Sequence, residues 1–436
     1  MQNQVQFKNI EKKDIETLFK DVRTPCYVLD EAAFIKNGEI LKKLQDRTGA
    51  KVLLAEKAFS NFTLFPLLSQ YLAGTEASGL YEARLGREEM PQKEVHVFSA
   101  AFRDDEFWEV LKYADHIVFN SVRQLKKFGP FAKEAGKEVG LRINPECSTQ
   151  EGHEIYDPCA PGSRLGVTRA VFDAEADTET LCLLDGIHFH TLCEQDSDAL
   201  KKTADAVIKD WDDILRMVRW INMGGGHHIT KDNYNIPLLE KIISKFRIKY
   251  DLQVYLEPGE AVALNAGYLV TRVLDIVKNN DHEIAILDMS AACHTPDVIE
   301  MPYMPPLLGA APVSPEEAAT IELNNSSDDA FSDSMSDLFG DALGDVFSEA
   351  ITGPRRHIYR LAGPSCLAGD VIGDYAFERS LNIGDMLVFG DMAIYSICKN
   401  NTFNGIPLPG IYLLKSNGKT ELIKEFGYED FKNRLG

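Results

Sequence analysis

Between residues 51 and 256 the chain alternates two patterns. Short apolar and β-branched runs recur at Lys51–Glu56, Gly74–Ser78, Val95–Ala100, His116–Asn120, Val139–Asn144, Gly186–His190, Trp220–Met223 and Gln253–Leu256. Between most of them, and before the first, lie longer stretches of helical character: Glu31–Gln45, Asn61–Leu72, Tyr81–Met90, Asp104–Tyr113, Val122–Ala135, Ser197–Met217 and Asn235–Phe246. Eight strands interleaved with helices predict an α/β fold built on a closed (β/α)8, TIM-like barrel. An open doubly wound sheet uses the same local units and stands as the alternative. Beyond residue 262 the pattern changes to short apolar or alternating runs separated by turn residues: IAILDM, YRLAG, DMLVFG, IYSIC and GIYLLKS. These predict a second, β-rich domain.

The residues just past the predicted barrel strands carry unusual chemistry, and that end is where barrel enzymes keep their sites. The first strand leads to Lys57, the sixth to His190, the seventh to Gly224, Gly225 and Gly226, and the eighth to Glu257-Pro258-Gly259-Glu260. Three glycines let backbone N–H groups close on an anion with no Cβ in the way. Each feature alone has an ordinary reading: a tight turn, a solvated lysine, a satisfied histidine. Together they match the needs of pyridoxal phosphate. An amine condenses with the aldehyde, glycines hold the phosphate, an imidazole stacks on the ring, and a carboxylate keeps the ring nitrogen protonated. A barrel aldolase acting on a phosphorylated sugar is the competing reading, but there the carboxylate has no ring nitrogen to serve.

Composition narrows the class further. The chain has 436 residues, 44% hydrophobic, enough for two or three domains with full cores. Its formal net charge of -21 argues against general nucleic-acid binding, because an acidic surface repels phosphate. The first twenty residues lack the apolar core of a signal peptide, and no apolar run is long enough to span a membrane. The eight cysteines form no CxxC and read as reduced thiols of a cytoplasmic protein, with no metal site. The acidity is concentrated. Leu308–Pro354 holds ten acidic residues and no Lys or Arg, with Asp329, Asp333, Asp337, Asp341, Asp345 and Glu349 every fourth residue. An acidic insert over about 308–356 reads as a solvated surface excursion, since like charges at that spacing oppose a helix.

Eight stretches place the chain in a family. TPCYVLD (24–30), KVLLAEKAFS (51–60), GIHFHTLCE (186–194), INMGGGHHIT (221–230), YLEPGEAV (255–262), LDMSAACHTPDVIEMPY (287–303), GPSCLAGD (363–370) and FGDMAIYS (389–396) follow in order across nearly the whole chain. The sequence resembles the fold type III, alanine-racemase-like pyridoxal-phosphate decarboxylases. HFHTLCE, EPGE and HTPD resemble the branch acting on the carboxy-polyamines carboxynorspermidine and carboxyspermidine, releasing norspermidine or spermidine and CO2. The resemblance implies a barrel over residues 29–262, with 1–28 and 263–436 forming the β-rich domain. It also implies a homodimer whose sites are each completed by the partner chain. Lys57 would hold the cofactor, His190 would stack on its ring, Glu257 would pair with the ring nitrogen, and Gly224, Gly225, Gly226 and Tyr395 would hold the phosphate. Cys366 would protonate the substrate carbon from the partner subunit, and Arg164 resembles a basic residue near the cofactor.

Substrate choice is read from charge. Many relatives that decarboxylate amino acids carry Arg at the fourth position of EPGR, where this chain has Glu260. With Asp297 of HTPD it would favour a cationic amine over a second carboxylate, and Asp391 is a further candidate. Decarboxylation of another basic amino acid (ornithine, lysine, arginine or meso-diaminopimelate) is the alternative. Two features depart from the expected pattern. The link between MPY and YRLAG spends 55 residues, longer than the family's. Glu56 is expected to point outward toward the helices, where a carboxylate needs a partner or water.

Overall fold

The computed structural model describes residues 18–150, 157–280, 282–314, 316–318, 321 and 357–436. The acidic repeat from Asp328 to Glu349 lies outside the described residues. The contacts separate two units, one made from the described residues of Met1–Glu31 and Asn265–Gly436, the other from Ala32–Leu264. The first strand, β1 (Cys26–Asp30), belongs to the former unit.

Ala32–Leu264 is a closed barrel of eight parallel strands, as the alternation predicts. They are β2 (Lys51–Ala55), β3 (Gly74–Ala77), β4 (Glu94–Phe98), β5 (His116–Phe119), β6 (Glu138–Arg142), β7 (Gly186–His188), β8 (Trp220–Asn222) and β9 (Gln253–Leu256). The open sheet is thereby excluded: β9 pairs in parallel with β2, Lys51 opposite Tyr255, which closes the ring. Outside it run helices such as Glu31–Thr48, Leu80–Glu89, Asp104–Tyr113, Val122–Glu134, Ser197–Leu215 and Ile236–Tyr250. Their stops are chemical. Asn235 accepts the Leu238 N–H to begin the last of them, and Asp251, in the left-handed region at φ 56°, ends it. The connection from β6 to β7 holds two short helices the pattern does not reveal, Arg169–Glu175 and Thr178–Leu183. Each is too brief to show a helical period, and each begins on a side-chain cap, Thr168 and Asp177.

The other unit is a nine-stranded sheet. Its further strands are β10 (Gly267–Asn279), β11 (His282–Leu287), β12 (Ala310–Pro312), β13 (His357–Ala362), β14 (Val371–Phe377), β15 (Met386–Gly390), β16 (Gly410–Leu414) and β17 (Thr420–Lys424). The order is β12-β14-β13-β11-β10-β1-β16-β17, with β15 also on β10. The N-terminal strand β1 thus inserts between β10 and β16, antiparallel to one and parallel to the other. Phe19, Val22, Cys26, Val28, Tyr268, Val270, Val388 and Leu414 pack as one buried cluster at this junction. Two expectations change. IYSIC is no strand: Tyr395 takes φ 56° and Ser396–Lys399 turns into a short helix, so the run cannot extend. Ala310–Pro312, read as the start of the acidic excursion, is a strand paired with β14.

Candidate active site

Lys57, His190, the three glycines and Glu257 follow β2, β7, β8 and β9, four strands that are consecutive neighbours around the barrel. They therefore share its C-terminal rim. After β8 the chain must turn sharply, and Gly224 (φ 69°) and Gly226 (φ 76°) lie in the left-handed region. Contact also demands glycine: a Cβ at Gly225 would fall 2.1 Å from the Glu257 carbonyl oxygen, and one at Gly226 1.9 Å from that of Leu192. The turn is tied at both sides. Gly224 N–H donates to Asn222 Oδ1 at 2.9 Å, and Gly225 N–H to His190 Nδ1 at 3.1 Å.

Glu257 is buried beside this turn. Its carboxylate accepts from Asn222 Nδ2 at 2.6 Å and faces His188 Nε2 at 3.3 Å. Burial alone would raise it, yet the His188 and His190 imidazoles hold it well below the usual carboxylate range. Burial, reinforced by the charge of Lys57, pushes His190 down to about 3. That ring is neutral at physiological pH, and because Nδ1 accepts from Gly225, its proton is on Nε2.

Four residues of this interior were not foreseen: Glu76, Arg142, His188 and Asn222. All are buried polar groups on barrel strands. The signal was available, since a polar residue inside an otherwise apolar buried strand has to face something polar. Arg142 donates to the His190 carbonyl at 3.0 Å and lies 4.6 Å from the Phe98 ring, while its Nε has no hydrogen-bond partner among the described residues. Glu76 is pushed up to about 8 by burial and by the nearby Glu257 charge. Glu56, on the outer side of β2, needs no cation. Burial pushes it up to about 9, so it stays neutral, with the Thr75 hydroxyl nearby and the Cβ-free surface of Gly86 over both.

Glu260 is buried on the short helix Gly259–Ala263, and His228 Nε2 lies 3.1 Å from its carboxylate. Arg164 is exposed; its carbonyl accepts from Asn120 Nδ2. In the sheet unit, Asp297 is buried and bound by the ammonium of Lys399, which also reaches Glu300 at 2.7 Å. Tyr395 precedes Lys399 by one helical turn, its ring 5.6 Å from that ammonium. Asp391 accepts the Asn265 N–H at 2.7 Å. Cys366 is exposed on a loop pinned by buried Asp370, which accepts from Ser290 Oγ at 2.8 Å and from the Ser365 and Ala292 N–H groups. A Cβ at Gly363 would lie 2.3 Å from the same carboxylate, which accounts for GPxCxxxD as a structural unit.

The barrel residues fit pyridoxal phosphate. An ionised, buried carboxylate suits a protonated ring nitrogen, a neutral imidazole suits the ring face, and a glycine turn without Cβ atoms lets a phosphate approach the backbone. No described helix is long and apolar enough to cross a membrane.

Comparison with known proteins agrees. The family described as pyridoxal-dependent decarboxylase, C-terminal sheet domain, matches residues 26–393. A carboxynorspermidine/carboxyspermidine decarboxylase of Campylobacter jejuni is 39% identical over 95% of this chain and 99% of its own length. A carboxyaminopropylagmatine decarboxylase of Synechocystis is 37% identical over 95% of both. The crystal structure of carboxynorspermidine decarboxylase from Campylobacter jejuni, complexed with norspermidine, superposes with a TM-score of 0.78 at 39% identity, over 95% of this chain and 100% of that one. With a family match over most of its length and relatives this similar from end to end, the chain belongs to the pyridoxal-dependent decarboxylases.

Proposed function

We propose that this protein decarboxylates carboxynorspermidine and carboxyspermidine, yielding norspermidine or spermidine and CO2 in polyamine biosynthesis, with pyridoxal 5′-phosphate as cofactor. The observation that carries the reading is the end-to-end 39% identity with a decarboxylase of that name. When bound, the cofactor supplies an aldehyde for the substrate amine and a ring that accepts the electron pair left on Cα as CO2 departs.

This chain's residues do the rest. Lys57 Nζ would hold the cofactor through its aldehyde. The glycine turn lets the phosphate come close to the backbone, and its position is fixed in advance by the Gly224 and Gly225 bonds to Asn222 and His190. The low-lying Glu257 carboxylate keeps a proton on the ring nitrogen, and the neutral His190 ring packs on the ring face without competing charge. Tyr395 adds a phosphate contact. In the homodimer implied by the family resemblance, Cys366 reaches the site from the partner chain and delivers a proton to Cα. Asp297 offers a desolvated carboxylate to the distal cation of the substrate, and Glu260 adds negative charge near the turn.

The 37% identity with a carboxyaminopropylagmatine decarboxylase supports a second reading, in which the distal group is a guanidinium. Parallel CO2-release assays decide, using carboxynorspermidine, carboxyspermidine, carboxyaminopropylagmatine, ornithine, lysine and meso-diaminopimelate. Turnover led by the first two supports the proposal, and carboxyaminopropylagmatine leading transfers it to the second reading. Ornithine or diaminopimelate leading sinks the charge-based reading of Asp297 and Glu260. In the same assay Lys57→Ala abolishes turnover and covalent retention of cofactor.

A further inference from the structure

The opposite end of the barrel holds a second cluster of chemical groups. Glu94 begins β4, His96 lies two residues further, and His116 begins β5 beside them. These are strand beginnings, whereas Lys57, His190 and Glu257 follow strand ends. The two imidazoles are 1% and 6% exposed and stack at 3.8 Å with 12° between planes. Tyr255 and Trp220 border them, with ring centroids 5.3 Å and 5.2 Å from His116. His96 Nε2 lies 3.2 Å from Glu94 Oε2, and Lys51 Nζ is bonded to the same carboxylate.

An aromatic plug would be built more cheaply from apolar rings. Nδ1 of His96 and Nδ1 of His116 have no hydrogen-bond partner among the described residues, although both are buried. A buried polar atom left unpaired is destabilising. One ligand atom from each of Glu94, His96 and His116 lies within 4.8 Å of the others. The geometry points to a divalent-cation site at the amino-terminal floor of the barrel, formed by Glu94, His96 and His116 and distinct from the decarboxylation site.

The donor set selects the ion. Two imidazole nitrogens and one carboxylate oxygen suit a borderline cation such as Zn2+ or Co2+ over Mg2+ or Ca2+, which prefer oxygen alone. Two adjustments accompany binding. Parallel rings send their lone pairs along parallel lines, so His116 has to turn about its Cβ–Cγ bond; its Nδ1 has no hydrogen bond to lose. Lys51 has to leave Glu94, and its side chain is 38% exposed, so water is within reach. Competition with this ammonium makes the affinity lower than that of a closed structural zinc site. Binding clamps β4 to β5 and stabilises the barrel by mass action.

The test uses cofactor-loaded, chelator-treated full-length protein. Zn2+ uptake is measured by equilibrium dialysis, and Co2+ by its visible absorption, for the wild type, His116→Phe and Lys51→Met. Phe keeps the stacked ring and removes both nitrogens, so the fold is retained and decarboxylation is unchanged. The expected result is stoichiometric uptake by the wild type with a raised thermal midpoint, at least tenfold weaker uptake by His116→Phe, and about tenfold tighter uptake by Lys51→Met. Undiminished binding by His116→Phe, or no uptake by the wild type at millimolar metal, overturns the site. A binding loss in Lys51→Met equal to that in His116→Phe also overturns it, since it would mean that Lys51 organises the cluster without competing for it.

Discussion

Gly225 donates its backbone N–H to Nδ1 of His190 at 3.1 Å, locking the turn after β8 to the imidazole after β7. One bond thus fixes the tautomer of the ring and the position of the turn. It forms because β7 and β8 are adjacent parallel strands whose ends leave the barrel side by side.

Gly225→Ala breaks that coupling. Its Cβ would fall 2.1 Å from a backbone oxygen of Glu257, which cannot rotate away as a side chain can. Cofactor affinity, measured by equilibrium titration of the apoenzyme with pyridoxal phosphate, is expected to fall at least tenfold, about 1.4 kcal/mol. Unchanged affinity would mean that the turn does not hold the phosphate.

Asp297 and Lys399 give a pair of variants with opposite signs. If the Asp297 carboxylate receives the distal substrate cation, Asp297→Asn raises KM about tenfold with a smaller change in kcat. Lys399 already occupies that carboxylate, so Lys399→Met removes a competitor and lowers KM. Steady-state kinetics on carboxynorspermidine read both. A rise in KM for both variants would show that Lys399 serves to position Asp297 instead.

Glu56 predicts an alkaline weakness. Its pKa rises from 4.5 to about 9 on folding, chiefly through burial. Between those values the folded chain holds a proton that the unfolded chain has lost, so this group's contribution is full below about pH 4.5 and is lost as pH rises through 9, by at most ~1.4 kcal/mol per pH unit. Glu56→Gln keeps the shape and removes the proton. Its thermal midpoint should gain on the wild type steadily from about pH 6 to pH 8.5. A difference that stays constant with pH would mean that Glu56 is already ionised in the folded protein.

The barrel was legible because each strand is a compact apolar run and each long helix repeats its apolar face several times. Elements without enough residues to show a period were missed or misread. Arg169–Glu175 and Thr178–Leu183 are defined by their caps, and Ser396–Lys399 exists because Tyr395 adopts a left-handed conformation in an apolar run. The same limit governs the site. Lys57, His190 and Glu257 stand out at strand ends, whereas Glu76, Arg142, His188 and Asn222 lie within strands, where only closure of the barrel brings them around Glu257.

By itself, the sequence determined the alternation that closes the barrel, the glycine turn, and the order of motifs that places the chain among the decarboxylases. These are local properties, encoded by residues close in the chain. Only the tertiary structure decided protonation and partnership. Glu56 is neutral beside Thr75, Glu257 is ionised against His188 and Asn222, Asp297 is held by Lys399 from about a hundred residues away, and Glu94, His96 and His116 converge on the barrel floor. A side chain's charge depends on its burial and on groups brought near it by distant segments, and neither exists until the chain has folded.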